Sequence, residues 1–379
     1  MTTYIPTSQI YIPEGMIDLG AGDPDFSLLP LDMLRYAAEA CFAKGDPSFL
    51  QYGAEQGNGY FRMALAGFLG RGYSFPVDPD TLFVTNGISN ALDLICAHFT
   101  RPGETIFVEE PTYFLALHIF ADHDLCIVPI QTDGGGLVIE ALEEKLAEFQ
   151  PKFLYTVPTF QNPGGHTLSE ERRERLVSLS QARGFLIVAD EVYHFLNYSG
   201  QQINPFAAYT DLETVISLSS FSKILAPGLR LGWMQVHPSK IKPLTGSGLL
   251  DSGGGLNPFT SAIVRELIEA EDLEKNIANL ITTYRARLKV MDAALRREIP
   301  QSQFITPQGG FFFWVRLPGV DTGKLRGEAR DFHVGFRQGD LFSSQGGMHE
   351  YVRLCFSFYD EEKIEEGIGR LRRSLDAFS

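Results

Sequence analysis

Seven short runs rich in apolar and β-branched residues, at 81–85, 105–109, 125–130, 153–157, 185–190, 214–218 and 231–236, recur between helical patterns. Most are near-continuously apolar rather than alternating, which is the signature of strands buried on both faces, and helical stretches such as 169–182 separate several of them. The chain is therefore expected to form an α/β fold whose mainly parallel seven-stranded sheet is sandwiched by helices. At 379 residues it exceeds one ordinary core, so a second unit is expected. After Asn257 the texture changes to one long helical stretch through Glu298, apolar at Ile263, Leu267, Ile277, Leu280, Ile281 and Leu288, which is expected to bridge two domains. Strands near 310–317, 333–336 and 351–356 and a closing amphipathic helix from Asp360 read as a smaller α+β domain. The expected division is 1–45 as an N-terminal segment packing with the small domain, 46–275 as the large domain and 276–379 as the small domain.

Charge and composition exclude several classes of function. With 32 Lys+Arg against 47 Asp+Glu, a net charge of −15, the chain lacks the basic surplus that nucleic acid or an anionic membrane would require. The N-terminus has no basic region followed by an apolar stretch, and no apolar run approaches the length of a membrane span. Cys41, Cys96, Cys126 and Cys355 form no CxxC pair and read as reduced, buried thiols of a cytoplasmic protein. The 8 histidines contain no HExxH and no close pair suited to a metal, so none is expected.

The polar residues that stand at strand ends carry the chemistry. Lys223 lies among hydroxyls in Ser219-Ser220-Phe221-Ser222-Lys223, and Arg230 follows seven positions later. A lysine that can lose its proton, beside hydroxyls and a guanidinium, suits covalent attachment of a phosphorylated aldehyde such as pyridoxal phosphate. Such a group makes five further demands. An anion cradle is offered by Asn86-Gly87-Ile88-Ser89-Asn90, where a strand meets a helix whose first amides are free; a glycine turn before a capped helix reads the same way. A carboxylate for the pyridine nitrogen is offered by Asp190 at the end of the run 185–190, a position that also suits a helix cap. Donors to the ring oxygen are offered by Asn162, in an Asn-Pro-Gly turn, and by Tyr193. Tyr113, just past the run 105–109, offers a stacking face or an ordinary core ring. Arg353 interrupts an apolar strand and calls for an anion, either a substrate carboxylate or an internal acid.

On Gln161-Asn162-Pro163-Gly164-Gly165, Ala189-Asp190-Glu191-Val192-Tyr193 and Ser220-Phe221-Ser222-Lys223 with Leu225-Ala226-Pro227-Gly228-Leu229-Arg230-Leu231-Gly232-Trp233, the chain resembles the fold-type-I pyridoxal-phosphate aminotransferases of class I. The resemblance runs from about Ile17 to the C-terminus. It is similar in form to aminoadipate and aromatic aminotransferases, and to the aminotransferase-like half of some bacterial transcription regulators. It implies that Lys223 carries the cofactor, that Asp190 binds the pyridine nitrogen, that Asn162 and Tyr193 bind the ring oxygen and that Tyr113 stacks on the ring. It further implies phosphate contacts from Ser89, Asn90, Ser220, Ser222 and Arg230, with Tyr52 reaching the phosphate of a partner subunit in a homodimer with shared active sites. Gly22, Asn162 and Arg353 would meet the substrate carboxylate. Gly164 stands where relatives usually carry threonine, and Ser89-Asn90 where they often carry glutamine; the run 252–257 matches no family motif and reads as a flexible loop.

The resemblance implies ping-pong transamination between an L-amino acid, aromatic or aminoadipate-like, and a 2-oxo acid. A C–S β-lyase on the same fold and a non-catalytic effector-binding domain are the alternatives. The second is disfavoured by the expectation that a match starting near residue 17 leaves no room for a DNA-binding domain.

Overall fold

The computed structural model describes residues 9–378; residues 1–8, read above as free of an export signal, and Ser379 lie outside the described residues. Strand β1 (Ile17–Asp18) comes first. Eight strands then form one sheet: β2 (Leu82–Thr85), β3 (Thr105–Glu110), β4 (Cys126–Asp133), β5 (Gly136–Leu137), β6 (Phe153–Thr156), β7 (Leu186–Asp190), β8 (Val215–Ser220) and β9 (Gly232–Val236). Their order is β2-β9-β8-β7-β6-β3-β4-β5, and only β5 and β9 run against the others. The apolar runs have the burial that their continuity requires, since every residue of β2, β6, β8 and β9 is buried. The eighth strand, β5, is a two-residue return from β4 through Gly134 and Gly135, too short to carry a periodic signal.

Helices between the strands begin and end where the local chemistry stops the ladder. Ser169 accepts from the Arg172 amide at 3.3 Å to open the helix Glu170–Arg183, and Gly184, at φ 76°, closes it. The single helical stretch expected over 257–298 is instead two helices, Pro258–Glu269 and Asp272–Glu298, broken at Glu271 with φ 58°. Neither glycine nor proline marks that break, so the apolar spacing passes through it unaltered. Cys126 is exposed rather than buried, because it opens β4 towards the edge of the sheet, while Cys41, Cys96 and Cys355 are buried.

Beyond the long helix, β10 (Phe312–Arg316), β11 (Val334–Gly335), β12 (Arg337–Gln338) and β13 (Tyr351–Cys355) complete the chain's strands among the described residues. The strand expected at 333–336 is the two-residue β11, which pairs with β1; β12, just past the expected run, joins β13, whose other neighbour is β10. The N-terminal segment is thereby fastened to the C-terminal part of the chain. Its second fastening is Arg287 on the long helix, which donates to Asp25 Oδ2 at 2.6 Å and to the Ser357 carbonyl at 2.6 Å. Burial pushes the Asp25 carboxyl up, but the Ser27 amide and the Arg287 guanidinium outweigh it and hold the pKa below the ordinary value.

Asp25→Asn would leave a buried guanidinium without its counter-charge and is expected to cost about 3 kcal/mol of stability at pH 7 in chemical denaturation. Because the native pKa of Asp25 is lowered, its stabilisation is complete above the unfolded value, near 4, and is lost as the pH falls through the lower native one. The variant should therefore lose stability less steeply in acid than the parent chain.

Candidate active site

The carboxyl ends of β2, β3, β6, β7 and β8 and the amino end of β9 share one edge of the sheet, and the site residues gather there. In the register Gly232 lies between Thr85 and Ser220. A Cβ on Gly232 would come within 2.8 Å of the Ser219 carbonyl and 2.9 Å of Gly87 Cα, so this approach needs a residue without a side chain. Gly87, at φ 85°, then turns the chain into the helix Ile88–Phe99. Arg230 lies over that turn: its Nη2 donates to the Asn86 carbonyl at 3.1 Å, and a Cβ on Gly87 would sit 3.0 Å from the same nitrogen. The result is a concave group of donors made from a helix start, a guanidinium and a hydroxyl. Ser89 is exposed at the mouth, and Ser220 Oγ accepts from the Ser222 amide at 3.2 Å. Asn90 is turned back, its Oδ1 accepting from the Asn86 amide at 3.1 Å.

Below the cradle, Asp190 ends β7 and is 4% exposed. Its Oδ2 accepts from the Tyr155 hydroxyl at 2.9 Å, and its Oδ1 from the Val192 amide at 3.3 Å. Burial raises its pKa to about 6 despite those two donors and the positive charge of Lys223. Lys223 is shifted in the opposite sense by the same cause: burial lowers its amine, opposed by the charge of Asp23. The amine donates to the Gly22 carbonyl at 2.9 Å and lies 5.5 Å from the centre of the Phe311 ring. Tyr193 packs on Phe311 and Phe312, with ring centres 5.4 and 5.9 Å apart, and burial lifts its phenol well above the usual value. Tyr113, the residue before the helix Phe114–Asp122, has its phenol pushed up to about 12, first by burial and then by the charge of Asp190.

Arg353, on β13, completes the group from the other sheet. It is 4% exposed, and among the described residues no carboxylate pairs with it. Nη1 donates to Asn162 Oδ1 at 3.0 Å and Nη2 to the Gly20 carbonyl at 2.9 Å, while Nε is buried with no partner. Its guanidinium lies 4.0 Å over the Phe312 ring and 5.0 Å from that of Phe342. A Cβ on Gly22 would meet Nη2 at 3.1 Å, so the glycine keeps the space beside the cation open.

Several residues that the sequence analysis did not single out hold this arrangement. Tyr155 orients Asp190 from the neighbouring strand β6, a pairing set by the register. Glu109, fully buried, accepts from Thr156 Oγ1, the Val157 amide and Gln161 Nε2, and Gln161 also reaches the Pro111 carbonyl at 2.7 Å. That network fixes the loop carrying Asn162. The run 252–257 is built in rather than loose: the Gly255 amide donates to the Gly53 carbonyl at 2.8 Å, and Asn257 bonds to Asn86. Tyr52, by contrast, is 82% exposed and takes no part in this chain's own cluster. Among the described residues, no group of three or more His, Cys, Asp or Glu has the arrangement of a metal site.

Residues 14–371 match the family model described as Aminotransferase class I and II. The chain belongs to the class I and II aminotransferase family. The aromatic-amino-acid aminotransferase 1 of Thermococcus litoralis is 36% identical over 95% of this chain and 88% of its own length. The 2-aminoadipate transaminase of Thermus thermophilus is 31% identical over 95% of this chain and 90% of its own. The solved Pyrococcus horikoshii kynurenine aminotransferase, in complex with PMP, superposes with a TM-score of 0.91 at 34% identity, covering 96% of this chain and 91% of that one.

In this aminotransferase the raised pKa of Asp190 has a measurable sign. Between about pH 4 and 6 the native state holds a proton that the unfolded state has released, so stability falls as the pH rises through that window. The difference amounts to roughly 2–3 kcal/mol at neutral pH. Asp190→Asn is expected to flatten that slope and to stabilise the cofactor-free protein at pH 7.5 in denaturant titrations.

Proposed function

We propose that this chain is a pyridoxal-phosphate-dependent aminotransferase that moves an amino group between an L-amino acid, aromatic or aminoadipate-like, and a 2-oxo acid. The observation that carries this reading is a lysine amine, a buried carboxylate and an unpaired buried arginine converging on one sheet edge beside an anion cradle. The residues fit the cofactor group by group. The cradle at Gly87 and Gly232 is kept open by two glycines and rimmed by Ser89, Ser220, Ser222 and Arg230, with Asn90 offering its backbone amide in the first helical turn while its side chain holds Asn86, which suits a phosphate. Asp190 has acceptor capacity left for a ring N–H, and Asn162 and Tyr193 stand on the side of Arg353. Tyr113 supplies an aromatic face.

When bound, pyridoxal phosphate supplies an aldehyde that takes up an amino group and a ring that draws electrons from the amino acid's Cα. The chain's own residues do the rest. Asp190 would hold a proton on the ring nitrogen, a charge-assisted bond worth about 1.5–3 kcal/mol. Lys223 would anchor the group; once the substrate's amine has displaced it, its own amine, with a pKa lowered by burial, would take the proton from Cα and deliver it to the carbon that had been the aldehyde. Arg353 binds the substrate carboxylate beside Gly22 and so fixes the Cα bond in orientation.

Tyr52, Leu31, Leu50, Tyr60, Met63 and Leu249 are each more than 60% exposed, and this number of large apolar side chains left in solvent suits a homodimer in which Tyr52 reaches the partner subunit's phosphate. Buried free thiols suit the cytoplasm, and no helix among the described residues is long and apolar enough to cross a membrane.

Two measurements test the activity. Borohydride treatment of the cofactor-loaded chain followed by peptide mapping should find the added mass on the Lys223 peptide and on none from Lys223→Ala. A panel of amino acids should convert the bound cofactor from its aldehyde to its amine form, and Arg353→Met should raise KM for the amino acid at least about 100-fold, as loss of two charge-assisted hydrogen bonds predicts. Pyruvate and ammonia released from a cysteine conjugate with no 2-oxo acid present would favour the β-lyase instead. A bound cofactor that exchanges its amino group with no amino acid would favour an effector-binding domain.

A further inference from the structure

Asn257 closes the anion cradle from behind. It stands at the end of the run 252–257, in the left-handed conformation with φ 51°, directly before the helix Pro258–Glu269. Its Nδ2 donates to Asn86 Oδ1 at 2.7 Å and also to the Arg230 carbonyl. Arg230 is itself left-handed, at φ 46°, and its Nη2 returns to the Asn86 carbonyl at 3.1 Å. Asn86 is held in turn by Asn90 Oδ1 on its amide. These bonds make a closed ring in which one carboxamide ties together the two walls of the cradle: the turn before the helix Ile88–Phe99 and the backbone of the arginine.

The residue type follows from the partners. Both groups facing Asn257 Nδ2 are oxygens that only accept, so the site needs a group with two N–H donors. The backbone conformation is one that asparagine adopts more readily than most side chains. The Arg230 side chain is exposed and tethered only to the Pro227 and Asn86 carbonyls, so the direction of its guanidinium depends on how firmly its backbone and Asn86 are held. We propose that Asn257 is a positioning residue for phosphate binding: it touches no ligand, but sets Arg230 and the helix start at the spacing that closes on a phosphate. This rests on the cofactor reading given above, and it gives the run 252–257 a role that its sequence did not reveal.

The test uses the 379-residue chain, stripped of bound cofactor and titrated by absorbance with pyridoxal phosphate and, separately, with pyridoxal, which has the same ring and aldehyde but no phosphate. Asn257→Gly keeps the left-handed backbone and removes the donor; Asn257→Asp keeps the shape and sets a carboxylate against two oxygens. Both variants are expected to bind pyridoxal phosphate about tenfold more weakly and to bind pyridoxal as the parent chain does. Asn257→Gln, which keeps the donor, should recover part of the loss. Equal weakening towards both ligands, or no weakening towards either, would overturn the proposal. A parent chain that holds pyridoxal phosphate no tighter than pyridoxal would instead overturn the reading of the cradle itself.

Discussion

Asp190 is an ionisable side chain at the end of a central strand, 4% exposed, with one phenol and one backbone amide as its donors. Placing a carboxylate there is unfavourable, which is why its pKa is raised, and the cost is reduced only when a cation or a strong donor comes to face it. Other features of the site follow from that constraint. The Lys223 amine is partly buried near the same edge and its pKa is pushed the other way, so neither charge is fully compensated by the chain alone. Arg353, buried without a carboxylate, adds a third unsatisfied demand a short distance off. A charged ligand that meets all three demands at once gains binding energy that would be unavailable at a surface site.

The sheet makes this convergence possible. Parallel strands deliver their carboxyl ends to one edge, so residues from 85 to 220 in the sequence become neighbours without any special loop design. The reversal of β9 brings Gly232 back between Thr85 and Ser220, and the small side-chain volume at that point leaves the cradle open. The second sheet approaches the same edge through the N-terminal segment, because Gly20 and Gly22 bring its backbone against Arg353 and Lys223. Arg287 and Asp25 keep that segment in place from a distance.

Much of this was legible in the sequence because single residues carried it. A polar side chain ending an apolar run, as at Asp190, or interrupting one, as at Arg353, is costly enough to stand out without knowledge of its neighbours. The pairings were not legible. Tyr155 is one apolar-looking residue within a strand, and its hydroxyl matters only because the β6–β7 register sets Thr156 opposite Ala189 and so brings it to Asp190. Asn162 reads as a turn residue until Arg353 arrives from the far end of the chain. The glycine-rich run before Asn257 looks flexible by composition, yet it is braced by Gly53 and Asn86, which lie far earlier in the chain, Asn86 by 171 positions. The break at Glu271 and the two-residue β5 left no mark because one interrupts no periodicity and the other is too short to create any.

The most direct measurement is a crystal structure of the chain soaked with pyridoxal phosphate. The account predicts density continuous with Lys223 Nζ, the ring nitrogen within hydrogen-bond distance of Asp190, and the phosphate resting between Gly87 and Arg230. Density in another cavity, or a ring whose nitrogen faces away from Asp190, would contradict it.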